Sequence, residues 1–407
     1  MNKKAIIIFL FVIPGLIRVA ITGEVAEYIK IEPRNNFVLI MDKSGSMSGD
    51  AMQQAKKAII SFLADIRGND RVGMITFNER PENLFDLTNN LKNKKNLISD
   101  IEASGSTALY DALALGFDQL SYSSGVKIII YLTDGRDNQS NFSIEEINSM
   151  ARSENILVYG IGLGEVDVAK LTELSRVTSG YFTTTSDPHD LNNVYSKVLN
   201  KYYEEYGDYT IYSGALTVKS IPGGLPIAID GEKIGCTPYS ISALEPGSYH
   251  VEIEYNEGNW QCDAVIKAGF RAVIQARSSE IDHNLIVGSR PVKSAVFLDG
   301  TYIGQTSIRP IIKEKKFFGG INIKNLNSQL KIEQVPRGRH TLKLIAMPKA
   351  DVDLGSALSY EFDFKINKNT WVNVDILKKE ADFMGQGDKK QDLQERVDKS
   401  FEDLKDF

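Results

Sequence analysis

Between Phe37 and about Tyr206 the chain alternates short apolar runs with stretches whose apolar residues recur every three or four positions. The runs are Phe37 to Met41, Val72 to Phe77, Val126 to Leu132, Ile156 to Leu163 and Tyr181 to Thr184, and their length and β-branched content predict strands. Val126-Lys127-Ile128-Ile129-Ile130-Tyr131-Leu132 scarcely alternates, as expected of a central strand covered on both faces. Met52, Ala55, Ile59, Phe62, Leu63 and Ile66 are spaced to share one helical face. Strands alternating with amphipathic helices predict crossover connections, and so a doubly wound, mostly parallel α/β sheet over residues 35–206.

The pattern changes after Tyr209. Short apolar runs follow one another too closely for crossover helices: Ala215 to Val218, Pro226 to Ile229, Ser248 to Glu254 and Ala264 to Ile266, punctuated by Ile221-Pro222-Gly223-Gly224, Asp230-Gly231 and Glu245-Pro246-Gly247. Asp-Gly between apolar runs signals a hairpin, so residues 210–277 read as a small all-β unit. The unit recurs. Pro226 to Thr237 aligns without gaps to Ala295 to Thr306, with Asp, Gly, Ile, Gly and Thr at the same offsets, and Leu244 to Val251 answers to Val335 to Leu342. A second, degenerate copy thus covers 284–378, with Lys313 to Lys331 expected to form an extended surface loop inside it. From Lys378 the strand pattern is lost, and residues 379–407 read as a charged tail with Leu393, Val397, Phe401 and Leu404 on one helical stripe.

Composition narrows the class. Charged residues make up 25% and hydrophobic ones 42% of the 407 residues, which argues against both disorder and a polytopic membrane protein. The net charge is −6 and no dense Lys/Arg block occurs, so nucleic acid is not an expected partner. Asn2-Lys3-Lys4 followed by the apolar stretch Ala5 to Ile17 has a signal-peptide profile, assigned to residues 1–23 with 24–34 as linker. Cleaved or retained as an anchor, this segment implies export to the periplasm or cell surface. Two cysteines remain, Cys236 and Cys262; in an oxidising compartment they can form a disulfide, and two buried thiols are the alternative.

The candidate chemistry lies where strands end. Phe37 to Met41 runs into Asp42-Lys43-Ser44-Gly45-Ser46, which feeds the first helix, and ligands of open α/β sheets bind outside the carboxyl ends of strands. Asp42, Ser44 and Ser46 offer a carboxylate and two hydroxyls in one arc, hard donors that suit Mg²⁺ or Mn²⁺. Gly105-Ser106-Thr107 and Leu132-Thr133-Asp134-Gly135-Arg136-Asp137-Asn138 bring further oxygens to the same mouth. The four histidines show no zinc spacing, no Gly-x-Ser-x-Gly elbow follows a strand, and no Gly-x₄-Gly-Lys-Ser/Thr loop exists for a nucleotide.

These three segments resemble the metal-ion-dependent adhesion site of von Willebrand factor type A domains. The resemblance covers roughly Asn35 to Tyr206 and implies a Rossmann-like fold, coordination of the ion by Asp42, Ser44, Ser46, Thr107 and Asp134 directly or through water, and recognition of a partner's Glu or Asp. The β unit resembles the PEGA domain through Ser220-Ile221-Pro222-Gly223-Gly224, Asp230-Gly231, Gly235-Cys236-Thr237-Pro238 and Pro246-Gly247. The second copy keeps Asp299-Gly300 and Gly304-Gln305-Thr306, with Ser307 in place of Pro238. The leading expectation is an exported, non-enzymatic protein whose Mg²⁺ or Mn²⁺ bridges to a partner's carboxylate, with the β units presenting the head and meeting envelope components. Two other readings stand beside it: an assembly protein whose ion only stabilises the head, and an envelope-polymer hydrolase.

Overall fold

The computed structural model describes residues 21–22, 25–31, 34–121, 123, 125–206, 212–255, 258–277, 283–291, 293–312, 323–335, 337–348, 358–366 and 370–385. Two compact units are present, the first reaching Ala276 and the second beginning at Arg277. Most of the signal-peptide segment and the tail stripe from Leu393 to Leu404 lie outside the described residues.

The α/β head opens with β3 (Asn35–Asp42), which follows two short strands, β1 (Ile21–Thr22) and β2 (Glu27–Lys30). It continues through α1 (Asp50–Asp65), β4 (Arg71–Phe77), β5 (Pro81–Thr88), α2 (Lys94–Ser99), α3 (Leu109–Ser121), β6 (Val126–Thr133), α4 (Ile144–Glu154), β7 (Ile156–Leu163), α5 (Val168–Val177), β8 (Phe182–Thr185) and α6 (Leu191–Tyr206). The sheet order is β5-β4-β3-β6-β7-β8, with every neighbouring pair parallel except β4 and β5. This is the doubly wound order, which reverses between β3 and β6 and leaves a crevice outside their carboxyl ends. All eight residues of β6 are buried, as its unbroken apolar run requires. On α1, Met52, Ala55, Ile59, Phe62 and Leu63 face the core. Helix α4 starts at a capping box, Ser143 accepting from the Glu146 amide and Glu146 from the Ser143 amide. Tyr202, Tyr203 and Tyr206 of α6 pack edge to face or stacked with Phe37 and one another, so these three rings serve the core.

The first β unit contains β9 (Gly214–Ile221), β10 (Pro226–Ile229), β11 (Glu232–Cys236), β12 (Tyr239–Leu244), β13 (Gly247–Tyr255), β14 (Gly258–Ile266) and β15 (Phe270–Arg277). Its two sheets, β1-β14-β13-β10-β11 and β12-β9-β15-β2, enclose a core of Leu216, Val218, Ile227, Val251, Ile253, Trp260 and Ile274. The stretch expected to be a linker therefore contributes β2, antiparallel to β15. Strands β9 and β2 flank β15 in one sheet, so the head is inserted between two strands of a single β sandwich. Ile31, just after β2, and Ala215, at the start of β9, both join the head's core, and Ser240 Oγ donates to the Arg152 carbonyl of α4 at 2.6 Å.

The second unit contains β16 (His283–Arg290), β17 (Ser294–Leu298), β18 (Thr301–Gln305), β19 (Ser307–Ile312), β20 (Ile323–Val335), β21 (Gly338–Ala346), β22 (Ser359–Ile366), β23 (Thr370–Asp375) and β24 (Glu380–Gly385). Its sheets, β19-β20-β16-β23-β24 and β18-β17-β21-β22, repeat the plan of the first. One polar knot recurs too: Ser220 bonds Thr237 and the Pro222 carbonyl, as Ser289 bonds Thr306 and the Pro291 carbonyl. Two expectations change. The insertion is not a plain surface loop, because β19 and β20 pair antiparallel. Strand order also runs past Lys378, because β24 pairs with β23 and takes the edge place that β2 takes in the first unit.

The cysteines are both free, Cys236 exposed and Cys262 buried. They lie on β11 and β14, with β10 and β13 between them in the sheet. Three strand spacings amount to about 14 Å, twice the reach of a disulfide, so the bridge considered from sequence is excluded.

Candidate metal centre

The loop after β3 is fixed by its neighbours on both sides. The Lys43 amide donates to the Phe77 carbonyl at 2.7 Å, the Ser104 amide to the Lys43 carbonyl at 2.7 Å, and the Gly45 amide to the Gly105 carbonyl at 3.0 Å. Gly105 has φ +80°, a backbone conformation that disfavours any side chain. A 3-10 turn, Gly45–Met47, then leads to α1.

Four of the five sequence-selected residues form one bonded chain. Asp42 Oδ1 accepts from the Ser44 amide at 2.8 Å, Ser44 Oγ lies 3.1 Å from Ser46 Oγ, and Ser46 Oγ donates to Asp134 Oδ1 at 2.8 Å. Thr107 does not bond to these four. Its amide donates to Asn138 Oδ1 at 3.1 Å, and its Oγ1 lies 3.5 Å from where a Cβ on Gly135 would stand, beside Asp134. The site thus gathers the ends of β3 and β6 and the entry to α3 at the point where strand order reverses.

Asp42 is fully buried, and its carboxylate is bonded by neutral groups, the Ser44 amide and the Thr133 hydroxyl at 2.7 Å. Burial, with a smaller push from Asp134, raises its pKa to about 6. Asp134 is also raised, again chiefly by burial. A buried Asp42 carboxylate and a half-buried Asp134, neither bonded to a Lys or Arg among the described residues, form an unbalanced site, of the kind found where a ligand completes the charge. Among the described residues no three His, Cys, Asp or Glu side chains gather into a metal-sized cluster, so an ion here would rely on hydroxyl oxygens beside two carboxylates. That donor set fits a hard divalent cation that keeps part of its water.

Residues 36–197 match the family model of the von Willebrand factor type A domain. The head is a von Willebrand factor type A domain. Residues 213–258 match the PEGA domain. Among curated relatives, the calcium-activated chloride channel regulator 1 of Bos taurus is 32% identical over 174 residues, 40% of this chain and 19% of the relative. The human inter-alpha-trypsin inhibitor heavy chain H4 is 28% identical over 186 residues, 40% of this chain and 20% of the relative. The matching segment therefore spans about a fifth of either relative. Among solved structures, a von Willebrand factor type A protein from Catenulispora acidiphila covers 59% of this chain and 67% of its own at 15% identity and TM-score 0.41. The mussel byssus proximal thread matrix protein 1, described with a zinc-occupied metal-ion-dependent adhesion site, covers 43% of this chain and 47% of its own at 20% identity and TM-score 0.36.

In this von Willebrand factor type A domain a supporting network escaped the sequence reading. Asp137 accepts from the Tyr110 amide at 3.0 Å and from Ser140 Oγ at 2.5 Å, and Ser140 Oγ in turn accepts from the Asp111 amide. Asp137 and Ser140 thereby satisfy the first amides of α3, which otherwise lack partners. Asp111, buried and raised to about 6 by that burial, accepts from the Asn141 and Phe142 amides and from Asn141 Nδ2. The loop carrying Asp134 is therefore riveted to the helix that follows Thr107. An Asp on the otherwise apolar stretch Leu109 to Leu113 was the available signal.

Proposed function

We propose that this protein binds a protein partner through a divalent cation held by Asp42, Ser44, Ser46, Thr107 and Asp134, and that it recognises rather than catalyses. The observation that carries the reading is the buried, uncompensated Asp42 joined through Ser44 and Ser46 to Asp134 at the reversal of strand order. Mg²⁺ or Mn²⁺ bound there supplies an electrophilic position open to an acidic side chain of the partner. The chain's own part is to hold oxygens in place. Asp42 and Asp134 provide charge, the three hydroxyls provide neutral donors, and Thr133 with the Asp111 and Asp137 network prevents the loops from spreading. The basic-then-apolar start of the sequence supports export to the cell envelope, and the two β units serve to present the head there.

The test combines metal and partner. Titration of Mn²⁺ followed by electron paramagnetic resonance is expected to show one site in the wild type, displaced by Mg²⁺ and lost in Asp42→Ala. Unchanged Mn²⁺ binding in that variant overturns the metal assignment. Capture of envelope proteins by the immobilised chain is expected in Mg²⁺ and not in EDTA, and a partner set indifferent to EDTA overturns metal-bridged recognition.

A further inference from the structure

The four strand edges of the second β unit, β18, β19, β22 and β24, are finished differently. β18 and β19 each shift register against their neighbours, β19 beside Pro310, and such irregularity stops an edge from pairing with another chain. β24 pairs regularly with β23 but turns Glu380 and Asp382 to the outer face, so it would meet a copy of itself with acid against acid. β22 has neither defence. It runs for eight residues, Ser359-Tyr360-Glu361-Phe362-Asp363-Phe364-Lys365-Ile366, in unbroken register with β21. The first unit shows that the plan admits one strand more at this place. There β14, which pairs with β13 as β22 pairs with β21, carries β1 on its other side, with Ile21 beside Trp260. In the second unit the sheet ends at β22 among the described residues.

The seam that a further strand would cover is apolar. Tyr360 and Phe362 are half-buried, and Phe383 of β24, packed 5.8 Å from Phe362 and from Phe364, is 44% exposed. The backbone is available as well. The Ala346 amide donates to the Leu358 carbonyl, and hydrogen-bonded pairs alternate along an antiparallel ladder, so Glu361, Asp363 and Lys365 turn their amides and carbonyls to the open edge. The outer face of β22 selects what can pair there. Glu361 pairs with Lys343 of β21 at 3.8 Å, and Asp363 accepts from Thr341 Oγ1 at 2.7 Å. Lys365 instead stands opposite Arg339, neither with an ion-pair partner among the described residues, and like charges directly opposed across strands repel. An acid on the free side of Lys365 relieves that repulsion. Two copies of β22 laid antiparallel about a twofold axis at Phe364 supply it, because Asp363 of each copy then faces Lys365 of the other. The same register sets Phe364 against its counterpart and Phe362 against Ile366 on the inner face. An axis at Phe362 would oppose Glu361 to Asp363, and one at Asp363 would oppose that residue to itself.

We propose that the edge of β22 docks a second copy of this chain, forming a twofold dimer in which the two β22 strands pair about Phe364 and their sheets run on as one. Main-chain bonds and the covered aromatic seam give affinity, as in other strand-addition complexes, and the two Asp363–Lys365 pairs fix the register. Because the same patch serves both copies, the contact closes at two chains. It is separate from the metal centre and does not require it.

The experiment is sedimentation velocity of the full chain in EDTA over a concentration series. A reversible passage from one chain to two, with no larger species, is expected. Asp363→Lys alone and Lys365→Asp alone each turn two attractions into repulsions and are expected to raise the dissociation constant about tenfold or more. Asp363→Lys together with Lys365→Asp restores opposite charges and is expected to return it to within about threefold of the wild type. Unchanged melting of the single variants excludes misfolding, and recovery in the double variant does so independently. Slower hydrogen exchange at the Asp363 and Lys365 amides on raising the concentration of the wild type locates the contact. A chain that stays monomeric at the highest concentration reached overturns the proposal and leaves the edge to a different chain. So does a dimer indifferent to the single charge changes, or one that the double variant fails to restore. A dimer formed in Mg²⁺ and absent in EDTA also overturns it, because the contact then lies at the metal centre. Failure of the metal reading leaves the EDTA result intact, so the two are distinguishable.

Discussion

Asp42→Asn is expected to stabilise the metal-free head while abolishing its response to metal. A carboxyl moved from 3.8 to about 6 by burial is favoured in its neutral form by about 3 kcal/mol. Its pKa is higher folded than unfolded, so the associated stabilisation is complete below about 3.8 and is lost as pH rises through about 6. At pH 7.5 without metal the folded head thus carries an ionised, buried carboxylate that Asn replaces with a neutral amide of similar shape. The Asn oxygen can keep the Ser44 amide bond, and Thr133 Oγ1 can turn to the Gly135 carbonyl, 3.4 Å away. Relaxation reduces the gain to about 1–3 kcal/mol, or about 5 °C in the midpoint of a domain of this size. Scanning calorimetry in EDTA is expected to place the variant above the wild type at pH 7.5 and level with it near pH 4. Saturating Mg²⁺ at a hundred times its dissociation constant adds about 2.7 kcal/mol to the wild type and nothing to the variant, which cancels or reverses the variant's advantage. A variant that melts below the wild type in EDTA at pH 7.5, or whose advantage is the same at both pH values, refutes the account of Asp42.

Other consequences can be checked directly. Asp111→Ala leaves the Asn141 and Phe142 amides without their acceptor and is expected to cost about 2–3 kcal/mol, read as a lower urea midpoint at unchanged slope; an unchanged midpoint contradicts the riveting role. Gly180→Ala places a Cβ 2.0 Å from the Val158 carbonyl oxygen, which only backbone movement relieves. It should cost about 2 kcal/mol or more, and a wild-type melting curve contradicts the packing of this turn against β7. Alkylation of the native protein is expected to label Cys236 and spare Cys262 until denaturant is added; mass spectrometry showing neither thiol reactive after unfolding without reductant restores the bridge.

What the sequence revealed depended on whether a residue's role is local. Strands β3, β4, β6 and β7 are legible because burial on both faces demands unbroken apolar runs. Strand β5 is not, because an antiparallel edge strand with the burial alternation of Pro81–Thr88 needs few apolar residues. Strand β2 was hidden more completely: Glu27-Tyr28-Ile29-Lys30 is mostly exposed and pairs with residues some 240 positions away, so nothing nearby marks it. At the centre, Asp42, Ser44 and Ser46 stood out because they follow one strand at fixed spacing. The parts played by Thr133, Asp111, Asp137 and Ser140 depend on distances between segments, which spacing does not contain. The same limit applies to Cys236 and Cys262, whose separation is set by two intervening strands.

The entry and exit of the head from strands on either side of β15 bear on what happens when the protein is pulled. A domain strung on one linker swivels, and every tug at its tip passes through a single chain crossing. Here the two crossings stand about 10 Å apart, two strand spacings, and each is seated by a residue, Ile31 or Ala215, in the head's own core. Tension applied at the mouth of the sheet, where the proposed partner would bind, is shared between two anchor points and resisted as torque. The head is therefore fixed like a bracket bolted to its support, which would keep the mouth of its sheet at a set angle to the first β unit under load.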